Sequence, residues 1–356
     1  MSGTSLDGVD VALCSFDADC KLIATHFLPY PAELKLALLA LHNPCENELE
    51  AAILLGNQLA CLYAKAVNKL LAANKLSAKD IIAIGCHGQT IRHRPELGFT
   101  LQIGNAALLA ELTGITVVSD FRSRDIAAGG QGAPLVPAFH LAIFGSKTKN
   151  RAIVNIGGIA NITVLGKNGQ VLGFDTGPGN ALIDYWAKLH TGQDYDKNGD
   201  WARTGEPVNS VLNAMLAESY FGLPPPKSTG RDLFNPYWLQ QHKLYPHLKP
   251  QDFARTLTLL TAITIADAIL SDANNTDEIY VCGGGAHNGL LIEMLNNCLG
   301  GNAPIYKTDA LGVGVDWVEA VAFAWLAKQT IDNKPSNLPA ATGAKGLRVL
   351  GAIYPK

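Results

Sequence analysis

The sequence predicts an α/β protein built from two related domains. One pattern, a glycine-rich turn followed by two strands and a helix, occurs at the start of the chain and again after residue 151. Short, continuously apolar runs such as 81–86 are typical of strands buried in a parallel sheet. A chain of 356 residues is also long for a single hydrophobic core. These features favour two domains, each with its own sheet.

The first half of the chain is predicted to alternate strands with helices. Residues 9–16 alternate apolar and polar side chains, whereas residues 48–74 carry apolar side chains at helical spacing. Asn105 and Gly114 have the positions of an N-cap and a C′ residue around a short helix. The predicted strands of this half are 9–16, 21–28, 81–86, 99–103 and 116–119, and the predicted helices are 31–42, 48–74 and 106–113.

One strand of this half is missing from the pattern. The glycine-rich turn at Gly3 should follow a strand, yet only Met1 and Ser2 precede it. Either the chain lacks residues of its first strand or its native start lies further upstream.

The second half repeats the pattern and adds a long irregular segment. Residues 190–250 are rich in glycine, proline and aspartate, which is typical of a functional lid or an insertion. We expect a first domain over 1–128, onto which the tail 340–356 packs back, and a second domain over 129–339. The predicted strands of this half are 151–156, 162–165, 171–174, 278–282 and 304–307, and the predicted helices are 180–190, 251–272, 290–298 and 316–327.

The composition disfavours several functional classes. The net charge is -3, without a basic patch or an acidic tail, so we expect no nucleic-acid partner. The apolar run 257–270 is interrupted by threonines and an aspartate, which indicates a buried helix rather than a membrane span. The start of the chain does not resemble a signal peptide, and the seven cysteines include no C-x-x-C pair. We therefore expect a cytoplasmic protein with reduced thiols, and a homodimer remains one option.

The first motif that carries chemistry is the turn from Gly3 to Gly8. Glycine at both ends leaves backbone N–H groups free to point at phosphate oxygens, and the hydroxyl groups of Thr4 and Ser5 add donors. Asp7 is the candidate ligand of Mg²⁺, through a water molecule. The alternative is a plain hairpin turn.

Two further motifs lie in the second half. Gly157 and Gly158 form the turn that corresponds to the first one and would face the same phosphates from the other side. Asp175 follows a predicted strand, and the stretch Gly177–Pro178–Gly179–Asn180 then leads to a helix. Gly177, Gly179 and Asn180 are candidate ATP contacts. Ligands of open α/β sheets bind at the carboxyl ends of strands, so Asp175 is the candidate catalytic carboxylate. The alternative is that Asp175 only caps a turn.

A fourth motif follows the buried strand 278–282. Its glycines would let an adenine or a ribose lie against the backbone at a helix N-terminus, and the alternative is a flexible loop. The chain contains neither a G-x-x-x-x-G-K-[ST] motif nor a G-x-G-x-x-G motif after a strand, which disfavours Walker-type NTPases and dinucleotide dehydrogenases. The candidate nucleotide contacts of this motif are Gly283, Gly284, Gly285 and Asn288.

Polar loops at the ends of first-half strands are the candidate substrate contacts. Arg122 is the candidate partner of a substrate carboxylate. His87 is as often a structural histidine as a ligand contact, and Glu319 either favours a helix dipole or acts as a second carboxylate of the active site. The candidate substrate-binding residues are His87, Gln89, Thr90, Arg122 and Asp125.

The motifs run in one order over almost the whole chain. They read SGTSLDGVD, GCHGQTIRH, SDFRSRDIAAGGQGAPLVP, NIGGIANIT, GFDTGPGN, GGGAHN and GVDWVEA. As a set they resemble the anhydro-N-acetylmuramic acid kinase family of the actin/hexokinase-like sugar kinases. The resemblance implies a two-domain actin/hexokinase-like (ribonuclease H-like) α/β fold with ATP in the cleft between the domains.

The resemblance also implies roles for individual residues. Asp175 would be the general base, Glu319 a supporting carboxylate, and the loops around His87 and Arg122 the sugar side. The first phosphate loop would consist of Gly3, Thr4, Ser5, Leu6, Asp7, Gly8, Val9 and Asp10.

The implied activity couples two reactions. The family hydrolyses the 1,6-anhydro bridge of anhydro-N-acetylmuramic acid and phosphorylates the freed 6-oxygen, with ATP and Mg²⁺, during recycling of bacterial peptidoglycan. One alternative is an ordinary hexose- or acetate-type kinase of the same fold, and another is a non-catalytic ATP-binding module. Release of ADP with and without the anhydro sugar separates these alternatives.

Overall fold

The computed structural model describes residues 1–3, 6–17, 19–44, 46–242 and 248–356. The chain forms two compact units, which we call unit 1 (Met1–Ile143 with Trp317–Lys356) and unit 2 (Phe144–Asp316). The strands are β1 (Gly8–Ser15), β2 (Lys21–Pro29), β3 (Ile84–Gly85), β4 (Gln89–Arg94), β5 (Phe99–Ile103), β6 (Val117–Ser119), β7 (Arg151–Ile156), β8 (Ile159–Leu165), β9 (Val171–Pro178), β10 (Glu278–Cys282), β11 (Ile305–Lys307) and β12 (Ala352–Tyr354). The helices are α1 (Ala32–Ala40), α2 (Glu48–Ala73), α3 (Ala106–Thr113), α4 (Ser123–Ala127), α5 (Val136–Phe139), α6 (Ala181–Thr191), α7 (Asn209–Leu216), α8 (Pro236–His242), α9 (Pro250–Asp272), α10 (Gly289–Cys298), α11 (Val318–Ile331) and α12 (Pro339–Thr342).

Unit 1 contains three small groups of strands. β1 and β2 pair antiparallel, and β4 and β5 form a hairpin. β6 lies between β3, to which it is parallel, and β12, to which it is antiparallel. The long helix α2 contributes Leu59 and Ala60, both fully buried, to the core of this unit. The predicted N-cap of α3 is confirmed, since the Asn105 side chain accepts a hydrogen bond from the Leu108 N–H at 2.9 Å.

Helix α11 packs closely on the strands of unit 1. A Cβ atom at Gly85 of β3 would lie only 2.1 Å from the Phe323 carbonyl oxygen, so the strand and the helix approach as closely as glycine allows. The Trp325 ring lies 6.2 Å from the ring of Phe139 in α5. These contacts place α5 and α11 in unit 1.

The unit boundaries differ from the predicted domain boundaries at 128/129 and 339/340. The tail lies in unit 1, as expected, but so do residues 129–143 and 317–339, which were assigned to the second domain. The reason is that α11 packs on β3 and α5 packs on α11. A linear sequence does not show which sheet such helices cover.

Unit 2 has one five-stranded sheet in the order β11-β10-β7-β8-β9. β7, β8 and β9 form an antiparallel meander, and β10 and β11 continue from β7 in the parallel direction. This order and these directions are those of a ribonuclease H-like sheet, which confirms the predicted fold class. β7 is central, and its Ala152, Ile153 and Val154 are fully buried.

Helix α9 packs within unit 2. By length and composition it is apolar enough to cross a membrane, but 72% of its most apolar window is buried inside the protein. Thr258 and Thr261, which interrupt the apolar run, are buried and bond to backbone carbonyl groups. This arrangement is that of the buried helix predicted from the sequence.

Candidate active site

The glycine-rich turns of unit 2 meet at one end of its sheet. The turn between β7 and β8 holds Gly157 and Gly158. The Gly179 N–H donates to the Gly158 carbonyl group at 3.0 Å, and the Asn180 N–H donates to the Gly157 carbonyl group at 2.8 Å. The Asn180 side chain also donates to the Ile156 carbonyl oxygen at 3.1 Å. The second and third sequence motifs therefore form one structure.

Glycines are required where these turns touch. A Cβ atom at Gly179 would lie 2.3 Å from the Gly157 carbonyl oxygen, and one at Gly285 would lie 2.3 Å from the Ile156 side chain. Gly283 has a φ of +78°, in the left-handed region that favours glycine. These glycines were predicted to make room for a ligand, and the structure shows that they make room for the backbone and side chains of residues 155–157.

Asp175 lies inside β9, opposite Asn161 of β8, because β9 continues to residue 178, beyond its predicted end. Its carboxylate accepts a hydrogen bond from the Thr229 N–H at 3.0 Å. Burial raises the pKa of Asp175 to about 6, and the Thr229 hydrogen bond opposes this rise. Such a carboxyl group is ionised at neutral pH and is a stronger base than an ordinary aspartate, as a general base requires.

The irregular segment 190–250 supplies the groups around Asp175. The Tyr220 hydroxyl donates to the Asp175 carbonyl oxygen at 2.7 Å, and the Asp175 N–H donates to the Lys227 carbonyl oxygen at 3.0 Å. The Lys227 ammonium lies 4.9 Å from the centre of the Tyr220 ring. Sequence reasoning marked this segment as functional but missed Tyr220, Lys227 and Thr229, because no motif singles them out.

Arg231 is a further residue that the sequence did not identify. A Cβ atom at Gly158 would lie 3.7 Å from a guanidinium nitrogen of Arg231, so this cation lies beside the Gly157–Gly158 turn. The side chain is exposed. A planar guanidinium suits phosphate oxygens, and its position adds positive charge to a turn predicted to bind phosphate.

The fourth motif joins β10 to α10. A Cβ atom at Gly284 would lie 3.8 Å from its nearest neighbour, so this glycine is less crowded than those on either side. The Asn288 side chain accepts a hydrogen bond from the Leu291 N–H at 3.1 Å and caps α10, a structural role beside its predicted nucleotide contact. His287 Nε2 lies 2.9 Å from Asp316 Oδ2 at the surface, an interaction that the sequence did not predict.

The first glycine-rich turn leads into β1 of unit 1. Thr4 and Ser5, two of its predicted phosphate contacts, lie outside the described residues. Leu6 and Val9 are 1% and 2% exposed, so their side chains belong to the core, and a phosphate contact of these residues through the backbone stays a prediction. A Cβ atom at Gly8 would lie 2.4 Å from a carbonyl oxygen of β2, which explains the glycine by packing.

The polar residues of this turn differ in exposure. The Asp7 carboxylate is exposed and lies 3.4 Å from the Lys35 ammonium. The Asp10 N–H donates to the Met1 carbonyl oxygen at 2.9 Å, so it points along the strand edge. The Gly3 carbonyl oxygen accepts from the Gln89 side chain at 3.3 Å. Of the described residues of the turn, Asp7 is best placed to hold a metal ion through a water molecule.

Arg122 and His87 form a pair inside unit 1. Two Arg122 nitrogens, Nε and Nη2, donate to His87 Nε2 at 3.2 and 3.0 Å, and Nη1 donates to the Gly132 carbonyl oxygen at 2.8 Å. His87 Nδ1 lies 2.9 Å from the Gly88 carbonyl oxygen, which can only accept, so Nδ1 carries the proton. Burial and the Arg122 charge hold the pKa of His87 well below its usual value. Arg122 therefore orients a neutral imidazole, and its contact with a substrate carboxylate stays a prediction.

Glu319 lies in the first turn of α11 and interacts electrostatically with Arg122 of this pair. Burial raises the pKa of Glu319, and the positive charge of Arg122 opposes this rise. Burial in turn lowers the pKa of Arg122 to about 10, and the Glu319 charge opposes that shift. Glu319 therefore has Arg122 as a charged partner, in addition to the helix dipole that the sequence suggested for it.

Gln89 and Thr90 have structural partners. Gln89 is 1% exposed and accepts a hydrogen bond from the Ser2 hydroxyl. It thus anchors the start of the first turn and does not face solvent, and its contact with a sugar stays a prediction. Thr90 accepts from the Gln102 side chain at 3.3 Å across the β4–β5 hairpin and remains half-buried.

Asp125 is a buried residue with a structural role, and its contact with a substrate stays a prediction. It is fully buried, and its carboxylate accepts from the Gly132 N–H at 2.8 Å. It also accepts from the Asn337 amide and the Thr342 hydroxyl, both at 2.9 Å. With these three donors the carboxylate joins the loop after α4 to the C-terminal segment. A short motif does not reveal that its acceptor is already satisfied by residues far along the chain.

Comparison with known proteins identifies the family. Residues 1–356 match the family described as anhydro-N-acetylmuramic acid kinase. The chain is 55% identical over 358 residues to the anhydro-N-acetylmuramic acid kinase of Nitrosospira multiformis, covering 100% of this chain and 97% of the relative. It is 54% identical over 362 residues to the enzyme of the same name from Nitrosomonas europaea, covering 100% and 98%. The chain therefore belongs to the anhydro-N-acetylmuramic acid kinase family.

Similarity to solved structures is lower. The activator of 2-hydroxyisocaproyl-CoA dehydratase from Clostridium difficile, solved with bound ADPNP, is 15% identical with a TM-score of 0.40, covering 76% of this chain and 84% of that one. A similarity at this level carries no argument about function.

The packing of the turns predicts that Gly179→Ala destabilises unit 2. A methyl group 2.3 Å from the Gly157 carbonyl oxygen forces the turns apart, and such overpacking costs about 1–3 kcal/mol. Thermal unfolding followed by calorimetry measures the effect. Gly222→Ala is the matched control, because its Cβ atom would meet open space. Equal melting temperatures for the two variants would contradict the packing argument.

The position of Asp125 predicts that Asp125→Ala lowers stability by several kcal/mol. Three buried donors lose their acceptor, and each unsatisfied group costs about 1–3 kcal/mol. Denaturant unfolding measures the change. Glu111→Ala, at an exposed position of α3, is the control and should stay within about 0.5 kcal/mol of the unmodified protein. A stable Asp125→Ala protein that lost only sugar affinity would show that Asp125 acts in the substrate site and not in stability.

Proposed function

We propose that this protein is an ATP-dependent sugar kinase that opens the 1,6-anhydro bridge of 1,6-anhydro-N-acetylmuramic acid and phosphorylates the 6-oxygen. Membership of the anhydro-N-acetylmuramic acid kinase family supports the substrate and the kinase activity. The observation that carries the mechanism is Asp175, a partly buried carboxylate with a raised pKa on the strand beside the glycine-rich turns. The process served would be bacterial peptidoglycan recycling, in the cytoplasm.

Asp175 is suited to take a proton from water. A 1,6-anhydro sugar has no free 6-hydroxyl group, so an ordinary kinase base would find no proton on the acceptor oxygen. The remaining nucleophile is a water molecule that attacks the anomeric carbon, as in an inverting glycosidase. The Thr229 N–H fixes one carboxylate oxygen and leaves the other to accept the proton.

The two steps balance as one reaction. The water oxygen bonds to the anomeric carbon while the bond from that carbon to O6 breaks, and the water proton passes to Asp175. The electron pair left on O6 attacks the γ-phosphorus of ATP, and the bond from that phosphorus to the bridging oxygen of ADP breaks. The products are N-acetylmuramic acid 6-phosphate, ADP and a proton that Asp175 returns to solvent.

Groups around the turns of unit 2 suit the phosphate side. The turn at Gly157 and Gly158 offers backbone N–H groups, and Arg231 adds a positive charge beside it. We propose that Arg231 binds a phosphate oxygen and stabilises charge on the transferring group. Gly284, the less crowded glycine of the fourth motif, is the proposed contact for adenosine, next to Gly283 and Gly285.

The described residues could hold Mg²⁺ only through bridging water molecules. The described residues contain no group of three or more metal-ligating side chains. Mg²⁺ often needs only one or two carboxylates, because phosphates and water complete its shell, and the exposed Asp7 carboxylate meets this condition. When bound to ATP, the ion would offset negative charge on the phosphates.

The sugar contacts of unit 1 remain proposals. His87 offers a neutral ring held by Arg122, Thr90 is half-buried, and Glu319 is the proposed supporting carboxylate. A hexose-type kinase would use the same base on a hydroxyl group, so the nature of the acceptor separates the two functions. ADP release with the anhydro sugar and with the free sugar, and the product masses, provide the test. Turnover of the free sugar alone would reject the proposed substrate.

The mechanism predicts that Asp175→Asn abolishes both steps together. Asparagine is nearly isosteric and keeps an acceptor for the Thr229 N–H, but it cannot take a proton. Turnover should fall by about 10²–10⁴-fold, the typical effect of losing a general base, while melting temperature and ATP affinity stay close to normal. Mass spectrometry of the sugar distinguishes the steps. A variant that opened the ring without phosphorylating it would show that Asp175 serves only phosphoryl transfer.

The raised pKa of Asp175 predicts an acid limb in the pH profile. The ionised carboxylate is the active form, so kcat/KM should rise with pH and level off above about pH 6. Without the raised pKa the limb would lie near the ordinary aspartate value of about 4. The profile of Asp175→Asn is the control and should lose this limb. A limb unchanged in that variant would assign it to another group.

A further inference from the structure

Unit 2 contains a groove of about 430 Å³ that no part of the proposed mechanism uses. We call it the α9 groove, because residues 264–272 of α9 form one of its walls. The other two walls are β9, through Phe174 and Thr176, and the segment 216–227. The volume lies within the range of about 300–1,000 Å³ that is typical of small-molecule sites.

The α9 groove and the Asp175 carboxylate lie on opposite faces of β9. Phe174 lines the groove, whereas Asp175, the next residue along the strand, does not. Phe174 pairs with Ile162 and Asp175 with Asn161 in regular register, so their side chains alternate between the two faces. The groove is therefore separate from the candidate active site.

The wall formed by the segment 216–227 is largely apolar. Phe221 lines the groove and is held in place by the ring of Phe234, which stacks on it with ring centres 5.6 Å apart. Leu223, also in the lining, is 51% exposed. With Phe174 of β9, these side chains form an apolar surface whose burial by a ligand would be favourable. The groove therefore suits a ligand with an apolar ring or chain.

Helix α9 adds carboxylates along one edge of the groove. Asp267, Ser271 and Asp272 follow each other on one face of the helix, at spacings of four and five residues. The Asp272 carboxylate accepts a hydrogen bond from the Ser271 hydroxyl at 2.7 Å. Within the described part of the chain, the Asp267 carboxylate has no hydrogen bond or ion pair. Burial raises the pKa of Asp267, as expected of a carboxylate whose charge is not balanced nearby.

Lys227 is the basic residue of the lining, and its ammonium group is already engaged. It donates to the carbonyl oxygens of Tyr220 and Phe221 at 3.3 and 3.1 Å. Burial lowers the pKa of Lys227, and the charge of Asp272 opposes this shift. Lys227 therefore offsets Asp272, and the negative charge of Asp267 remains unbalanced.

We propose that the α9 groove is a binding site for a small organic cation, in which an ammonium group is carried by an apolar ring or chain. The apolar part packs against Phe221 and Leu223, and the ammonium group pairs with Asp267. An anionic ligand would meet two carboxylates and one occupied ammonium group, and a neutral ligand would leave Asp267 unpaired. Charge complementarity thus selects the cation.

A ligand in the groove would hold together two elements that meet at Asp175. The Asp175 N–H donates to the Lys227 carbonyl oxygen at 3.0 Å, and the Tyr220 hydroxyl donates to the Asp175 carbonyl oxygen at 2.7 Å. A ligand that contacts both β9 and Leu223 adds contacts between the same strand and the same segment, so these hydrogen bonds should open less often. Any effect on catalysis rests on the proposed function, whereas binding and backbone protection do not.

The test titrates three probes that share an indole ring into the unmodified protein and measures affinity by calorimetry. Tryptamine is a cation, tryptophol is neutral and indole-3-acetate is an anion. Tryptamine should bind at least about tenfold more tightly than tryptophol, because a hydrogen bond to a charged group is stronger than one between neutral groups, and indole-3-acetate should bind most weakly.

Two variants with the same change of charge locate the ammonium group. In Asp267→Asn the affinities of tryptamine and tryptophol should agree within about twofold. Glu111→Gln, at an exposed position of α3, is the matched control and should keep the full preference for tryptamine. Equal affinities of the three probes for the unmodified protein, or an unchanged preference in Asp267→Asn, would overturn the proposal.

A second measurement locates the apolar part of the ligand. With saturating tryptamine, hydrogen exchange of the Asp175 amide should slow by about tenfold, whereas the Leu108 amide of α3 should not change. Leu223→Ala should weaken tryptamine and tryptophol by the same factor, because it removes apolar contact and leaves Asp267 in place. Unchanged exchange at Asp175 with tryptamine bound, or full affinity in Leu223→Ala, would overturn the proposal. These readouts involve no catalysis, so a failed kinase assay leaves their result intact.

Discussion

The docking of the Gly179–Asn180 backbone onto the Gly157–Gly158 turn is the interaction on which the candidate site of unit 2 depends. It fixes where β9 ends and α6 begins, and it brings the second and third motifs to one place. The contact is possible only because the approaching residues lack side chains, with a Cβ atom at Gly179 only 2.3 Å from a carbonyl oxygen. A close backbone approach of this kind leaves N–H groups at the surface of the turn, where an anion can be bound. Packing therefore requires glycine at Gly179, and the phosphate binding proposed for this turn would favour the same residue.

The chemistry of Asp175 follows from the same framework. Because β9 runs on to residue 178, the carboxylate is carried by a strand and not by a free loop, and the segment around Tyr220 and Thr229 closes over it. Burial raises its pKa, and one backbone hydrogen bond keeps that rise moderate, to about 6. The balance of these two effects gives a carboxylate that is charged at neutral pH and still basic. The described part of the segment 190–250 thus surrounds Asp175 with backbone groups and aromatic rings as much as with charged side chains.

The polar motif residues of unit 1 largely stabilise the unit itself through hydrogen bonds. Asp125 accepts three hydrogen bonds in the interior, Gln89 secures residues 2 and 3, and Arg122 holds His87 in one tautomer. Buried polar groups of this kind must be satisfied, because an unpaired one costs as much as a core mutation. A set of residues that identifies a family is therefore not the same as its set of ligand contacts. Some members of the set support the loops on which the proposed contacts lie.

The sequence by itself determined the fold class, the family, most of the strands and the longest helices, because periodicity, caps and glycine turns are local properties. It also selected Asp175 from its position between two glycine-rich motifs. The strands β4 and β12 and the short helices α4, α5, α7, α8 and α12 were not predicted. It did not predict the partners of Asp125, one of which, Asn337, lies 212 positions further along the chain. It missed Tyr220, Thr229 and Arg231, and it placed residues 129–143 and 317–339 in the second domain, whereas the structure groups them with unit 1. Those features depend on which surfaces bury each other. Only the tertiary structure decides them, since burial and hydrogen bonding between distant residues leave no periodic trace in the chain.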